Sequence, residues 1–470
     1  MSRITISVLF SFVAFTAVLQ AQTAESSPKI TIQVAGLQAG KAYLIGFFQD
    51  QRYRLDSTDV DASGKMTFQR KDLYPEGLVG VALPGNLSGL QLITDKTQQF
   101  TLSTRADDLV NAMQVSGSLE NELLYQNLRF ETQQQPKFQE LAAALKTLAA
   151  DSPAYKEAKA RQDQLVAERK AHLDEIFKKY PQSFFTKFKK AGQNPDPKDV
   201  RNPDGSLNSA LQVYLFRTAF WDGVDFTDDR LLNTPVIANK LRRYINELTV
   251  QDPDSINAAA DFLVKKLPLK SEYYKFVVNW IVLNYEPTKT SLMDHEAVYV
   301  HMVQSYFTAD KAFWAIPDQI DALQQRAMEM QASLVGKKGP NVRAKDPNGQ
   351  YRSIDEISAP YVVVFMFNPT CEHCIEQTPK LLKFYNEWKS KGVEIFGIAL
   401  DTDENEWKGF IQKYGLPWIN VFDPTNKSIY ATYFVDITPE IYVLNPQRKI
   451  IGKNLKVEQI ATIIERDQKK

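Results

Sequence analysis

Tyr361-Val-Val-Val-Phe-Met-Phe367-Asn-Pro-Thr-Cys371-Glu-His-Cys374 is the stretch that decides how the chain is read. Its first seven residues are all apolar and rich in β-branched and aromatic types, the pattern of a strand buried on both faces of a parallel sheet. A helix is expected from about Cys371 to Ser390, so the thiols fall where a buried strand ends and a helix begins. Unpaired N–H groups and the positive dipole end of a helix stabilise an anion there, and the first thiol should ionise more readily than a free one. Two intervening residues on a helical turn bring Cys374 within disulfide reach of Cys371. A mixed disulfide made by Cys371 can then be resolved by Cys374. Pro379 has no N–H to donate and is expected to kink this helix.

These are the only two cysteines in 470 residues, so a disulfide framework, which needs several spaced cysteines, is excluded. Zinc binding needs four ligands, and the four histidines of the chain offer no second pair at ligand spacing. Haem attachment needs His directly after the second cysteine, where Ile375 stands. An inert disulfide across so short a loop would add almost no closure constraint. These points weigh toward a cycling redox couple. His295 and His301 are six apart and cannot face one metal from a helix as HExxH requires, so they read as surface or packed residues.

Outward from the cysteines the text alternates strands with helices. Asp346-Pro-Asn-Gly349 marks a tight hairpin upstream. Downstream come a strand at Val393–Leu400, a helix through Trp407 and Phe410, and a short strand at Trp418–Val421. A helical turn near Tyr430 precedes a hairpin of Glu440–Leu444 with Lys449–Ile451, and a closing helix carries Val457, Ile460, Ile463 and Ile464 on one face. A βαβ unit followed by a hairpin and a helix makes a compact α/β sandwich over residues 336–470.

Residues 119–335 have helical spacing instead, as at Leu165, Leu173, Ile176, Phe177 and Tyr180, and predict an all-α region of eight or more helices. Trp221, Trp280 and Trp314 suggest a binding groove, but at this spacing aromatics are more often core. Residues 22–118 hold short apolar runs broken by turn residues, the pattern of a small antiparallel β domain. Met1–Ala21 carries one basic residue, Arg3, then an apolar stretch from Ile4 to Val18, the design of a secretory signal peptide with cleavage expected near Gln22. No later apolar run of about 18 residues offers a transmembrane helix. Lys plus Arg and Asp plus Glu are equal at 56 each, which leaves no basic excess for a nucleic acid partner.

Residues 336–466 resemble a thioredoxin-fold domain and, within that superfamily, the secreted TlpA/ResA-like thiol-disulfide oxidoreductases. The resemblance rests on the leading hairpin, the Val-rich strand into Cys371-Glu-His-Cys374, Pro379 eight residues after the first cysteine, and Ile437-Thr-Pro-Glu-Ile441. It implies a cis Thr438–Pro439 bond in a loop lying against the active-site disulfide, with Thr438 and Pro439 receiving the substrate backbone. The two preceding regions resemble the amino-terminal portions of multi-domain TlpA-like proteins from Bacteroides-type Gram-negative bacteria.

Thr370 stands where most relatives have Trp, and is expected to cap the helix. Phe365 replaces the buried acid of ordinary thioredoxins, and Gln377 the glutamate of ResA-like members. Glu372, Glu376 and Asp401 are then the carboxylates left to handle protons. A protonated His373 would stabilise the reduced thiolate, with Glu372 opposing it, so both are read as redox-tuning residues. The resemblance implies a periplasmic reductase of disulfides in secreted proteins, working with a thiol electron donor and without a cofactor or metal. Two rivals stand beside it. A peroxiredoxin-type peroxidase shares the fold, although Pro-x-x-x-Thr-x-x-Cys is missing around either thiol. The other is a partner-binding scaffold with a vestigial redox module.

Overall fold

The computed structural model describes residues 27–85, 89–150, 152–287, 289, 292–424, 432–435 and 437–469. The signal peptide expected at 1–21 and the helical turn expected near Tyr430 lie outside the described residues. The chain divides into two units. One holds the described residues up to Gly46 with Tyr53–Lys179, and the other holds Phe47–Arg52 with Tyr180 onward.

The described residues up to Ser116 form eight strands: β1 (Lys29–Ala35), β2 (Gly40–Phe48), β3 (Gln51–Val60), β4 (Lys65–Gln69), β5 (Gly77–Ala82), β6 (Leu90–Thr94), β7 (Gln99–Arg105) and β8 (Gln114–Ser116). They form two four-stranded sheets, ordered β4-β1-β7-β8 and β3-β2-β5-β6. Alternation sets the faces: Ile30, Ile32 and Val34 of β1 are buried while the residues between them are partly open to solvent. β1–β4, β2–β5, β5–β6 and β7–β8 pair antiparallel as expected, whereas β1 and β7 run parallel from Lys29 opposite Gln99 to Ala35 opposite Arg105. Two long helices follow, α1 (Leu119–Thr147) and α2 (Pro153–Lys179). Ser118 starts α1 by accepting from the Asn121 N–H, and the buried Asn121 amide exchanges hydrogen bonds with both backbone groups of Ile93 in β6.

From Tyr180 the described residues form seven α-helices, α3 (Phe184–Gly192), α4 (Ser209–Ala219), α5 (Val236–Asn246), α6 (Pro253–Val264), α7 (Glu272–Asn284), α8 (Glu296–Tyr306) and α9 (Pro317–Gln331). Asp252 and Ser271 cap α6 and α7 with their side-chain oxygens. Two of the three tryptophans of this region are core, as their spacing implies, and the third is half-buried in an aromatic cluster. Trp221 and Trp280 are buried, and Trp314 packs between Tyr274, Phe307 and Phe313. His301 shares a hydrogen bond of 2.6 Å with Asp261, and His295 is buried, so packing and hydrogen bonding account for both.

The carboxy-terminal part contains β9 (Arg343–Lys345), β10 (Tyr351–Ser353), β11 (Tyr361–Phe367), α10 (Glu372–Trp388), β12 (Val393–Ala399), α11 (Glu404–Tyr414), β13 (Ile419–Phe422), β14 (Glu440–Leu444), β15 (Ile450–Gly452) and α12 (Val457–Gln468). The seven strands among its described residues run in the order β10-β9-β13-β12-β11-β14-β15. β11, β12 and β13 are parallel, and β14 pairs antiparallel to β11 with Met366 opposite Glu440. Every residue of β11 is buried. Val363, Phe365 and Phe367 share one core with Cys374 and the apolar faces of α10, α11 and α12. Val362, Val364 and Met366 share the opposite core with Phe396, Tyr433 and Tyr442. Two dry faces explain the unbroken apolar run that stands out in the sequence.

Candidate active site

β11 delivers the chain to Asn368, and α10 starts four residues later with Cys371 at its N-cap position in an extended conformation. Thr370 does not cap this helix. Its backbone N–H and hydroxyl both donate to Asn368 Oδ1 at 2.7 Å, which tightens the turn between strand and helix. Asn368 organises the rest of the turn as well. Its side-chain amide donates to the Asp401 carbonyl at 3.0 Å, and its backbone N–H donates to Cys374 Sγ at 3.4 Å.

The two thiols are hydrogen-bonded neighbours in different surroundings. Cys371 is half-buried, and its Sγ donates to the Thr438 carbonyl at 3.3 Å. Burial pushes the Cys371 thiol up, but hydrogen bonds from Cys374, the Thr438 side chain and the His373 backbone outweigh it and hold the thiol below its ordinary value. Cys374 is fully buried, and that burial pushes its thiol up to about 12 against the opposing bond from the Asn368 N–H. The half-buried sulfur is thus the easier of the two to ionise, and the enclosed one the harder.

The Thr438–Pro439 peptide bond is cis, as the resemblance implies, and both residues are half-buried beside Cys371. Glu372 and His373 are exposed on the first turn of α10, and the His373 backbone N–H bonds the Cys371 sulfur. Glu376 is exposed and pairs with Lys380 at 3.2 Å. Asp401 reaches the turn through its backbone carbonyl. Phe365, where ordinary thioredoxins keep an acid, stacks on Phe367 at 5.0 Å between ring centres. α10 continues through Pro379, with the Thr378 hydroxyl donating to the Cys374 carbonyl at 2.7 Å. Sequence reasoning passed over Asn368 and Glu440. An Asn-Pro pair at a strand end and a charge heading an apolar strand were the available signals.

Residues 335–457 match the model of the AhpC/TSA family. Residues 203–337 and 29–124 match two domains of unknown function, DUF5106 and DUF4369. Over 121 residues the chain is 31% identical to the thiol-disulfide oxidoreductase ResA of a Bacillus cereus strain, an alignment spanning 25% of this chain and 68% of that protein. The chain belongs to the ResA-like thiol-disulfide oxidoreductases. ResA of Bacillus subtilis (strain 168) is 26% identical over 116 residues, covering 25% of this chain and 64% of its own. The thioredoxin domain of a Bacteroides vulgatus thiol-disulfide oxidoreductase is 29% identical, covers 28% of this chain and 96% of its own, and superposes with a TM-score of 0.27. This ResA-like chain keeps the dithiol at the head of the helix while Phe365 and Gln377 leave no acid at the two positions flanking it six residues away. No described helix is long and apolar enough to cross a membrane.

Proposed function

We propose that the chain reduces disulfides of exported proteins, cycling Cys371 and Cys374 between dithiol and disulfide. The observation that carries this reading is the contrast between the two thiols, half-buried and lowered at Cys371, buried and raised at Cys374. The Cys371 thiolate attacks one sulfur of the substrate disulfide, forming a mixed disulfide and releasing the other sulfur as a thiolate that takes up a proton. Cys374 then loses its proton and attacks Cys371 Sγ, and the second substrate thiol leaves. Two electrons have passed to the substrate, and the Cys371–Cys374 disulfide is returned to the dithiol by an external thiol donor. Thr438 and Pro439 form the docking edge for the substrate backbone, a role supported by the Thr438 carbonyl 3.3 Å from the attacking sulfur and by the exposed Ile437 next to it. Glu372 and His373 adjust the couple from exposed positions on the first helical turn. The apolar stretch from Ile4 to Val18 supports export to the periplasm, where such substrates are found.

Equilibrium titration of the Cys371/Cys374 pair against glutathione tests the direction of electron flow. A reductase should show a potential near the thioredoxin end, about −270 mV, and a value around −120 mV overturns the assignment. Cys374→Ser should trap substrates as mixed disulfides on Cys371, and recovery of none under oxidising conditions counts against protein substrates.

A further inference from the structure

On the face of the sheet opposite Cys374 lies a group of charges that the thiol chemistry does not use. Glu440 directly follows Thr438-Pro439 at the head of β14 and is 3% exposed. The Asn454 side-chain amide donates both to Glu440 Oε1 at 3.3 Å and to Glu296 Oε1 at 3.2 Å, joining β14 to the first residue of α8 in the helical region. Lys453 is 1% exposed, with its Nζ 3.4 Å from Glu296 Oε1, 4.0 Å from Asp294 Oδ1 and 5.3 Å from the centre of the Tyr442 ring. Asp294 Oδ2 accepts from the Val335 N–H at 3.1 Å, and His295 Nδ1 stands 3.6 Å from Glu296 Oε2. The neighbouring Met293 packs against the core that contains Cys374.

Two buried carboxylates, Asp294 and Glu296, beside one ammonium, with Glu440 tied to them through Asn454, are a poor source of stability, since removing charges from water offsets most of their attraction. Apolar residues of similar volume would serve packing as well. The group nevertheless sits at the end of the sheet where the loop touching Cys371 begins. Alternation along β14 puts Glu440 on the face of Tyr442 and Leu444, whereas Ile441 and Val443 share the face of Cys374. Glu440 therefore does not contact the thiols and acts through the segment it terminates.

We propose that Glu440 is a positioning residue for the thiol chemistry: bridged by Asn454 to Glu296 of the helical region, it holds the Thr438–Glu440 segment against Cys371. The proposal rests on the Cys371/Cys374 reading above. It makes the helical region part of the active-site scaffold, because α8 supplies one end of the bridge. Moving the segment withdraws Thr438 from Cys371, and Thr438 is one of the groups that lower this thiol.

Asn454→Gly is the cleanest probe. It deletes the bridging amide at a residue with φ 50°, a conformation that Gly adopts without cost. In the full chain it should lower insulin reduction about 5- to 10-fold. In a Cys374→Ser background it should move the pH midpoint of Cys371 alkylation upward by at least about half a unit. Glu440→Ala should do the same, while Glu440→Gln, which keeps an oxygen for Asn454, should restore turnover to within about 2-fold. If Asn454→Gly folds with unchanged midpoint and turnover, the proposal is overturned, even where Glu440→Ala is too unstable to measure. Activity surviving in Cys371→Ser would instead overturn the thiol reading itself, so the two failures are told apart.

Discussion

At its active-site end, the carboxy-terminal sheet carries two thiols over one face and a knot of buried charges over the other. Both faces are equally dry, with Val363, Phe365 and Phe367 on the first and Val362, Val364 and Met366 on the second, all fully buried. Yet the first face handles its ionisable groups by leaving one of them at the rim. Cys371 is half-open to solvent at a helix start and is lowered, while the fully enclosed Cys374 is raised to about 12. The second face encloses Asp294, Glu296, Glu440 and Lys453, with Lys453 beside Asp294 and Glu296 and Glu440 joined to Glu296 through Asn454. A half-open group can react with a substrate, whereas a closed set of partners can only hold parts in place.

Experiments can break this comparison at several strengths. Cys371→Ser should lower turnover by at least about 10⁴-fold, since the nucleophile has no substitute, and substantial residual insulin reduction would remove the basis for assigning chemistry to the first face. Alkylation sharpens the contrast within that face. At pH 8, Cys371 in the Cys374→Ser chain should react about 10³-fold faster than Cys374 in the Cys371→Ser chain, given a half-buried thiol held below its ordinary value against an enclosed one raised to about 12. Comparable rates would sink the division of labour between them.

On the second face, burial raises the Asp294 carboxyl to about 7, helped by Glu296 and opposed by Lys453. The unfolded chain releases the same proton near pH 4, so the contribution favours the fold fully below about pH 4 and is lost as the pH rises to about 7. Between pH 5 and pH 8 that loss is about 2 to 3 kcal/mol. Asp294→Asn should remove it, leaving a flatter dependence in urea unfolding at the two pH values; a slope equal to that of the unmodified chain would refute the placement of this proton. The smallest expected difference concerns packing alone. Val363→Ala and Val364→Ala empty fully buried sites on opposite faces and should each cost about 2 kcal/mol, equal to within about 1 kcal/mol. A much larger gap between them would mean that the faces differ in packing as well as in charge.

Much of this was legible in the residues. The strand Tyr361–Phe367, the helix that follows and the hairpin of Glu440–Leu444 with Ile450–Gly452 appear within a residue or two of their expected bounds, and the closing helix carries Val457, Ile460, Ile463 and Ile464 as expected. Where the sequence reading departed, the cause was a tertiary partner. Parallel pairing of β1 with β7 joins strands about 70 residues apart, and local alternation is the same for either direction. Thr370 carries a side chain able to cap a helix, but Asn368 claims its hydroxyl. Glu440 reads as an oddity at the start of an apolar strand, because its partner Asn454 lies 14 residues on, and Glu296, the far end of the bridge, lies 158 residues before Asn454.

By itself the sequence determined that two cysteines sit at a strand-to-helix junction, because that depends on short-range geometry that a few adjacent residues specify, while the Thr438-Pro439 loop was legible only through the family resemblance. Only the tertiary structure decided which thiol is open and which enclosed, and that the helical region reaches the loop beside Cys371 through Glu296 and Asn454. Burial and long-range hydrogen bonds arise when distant segments meet, and no local pattern records which segments those will be.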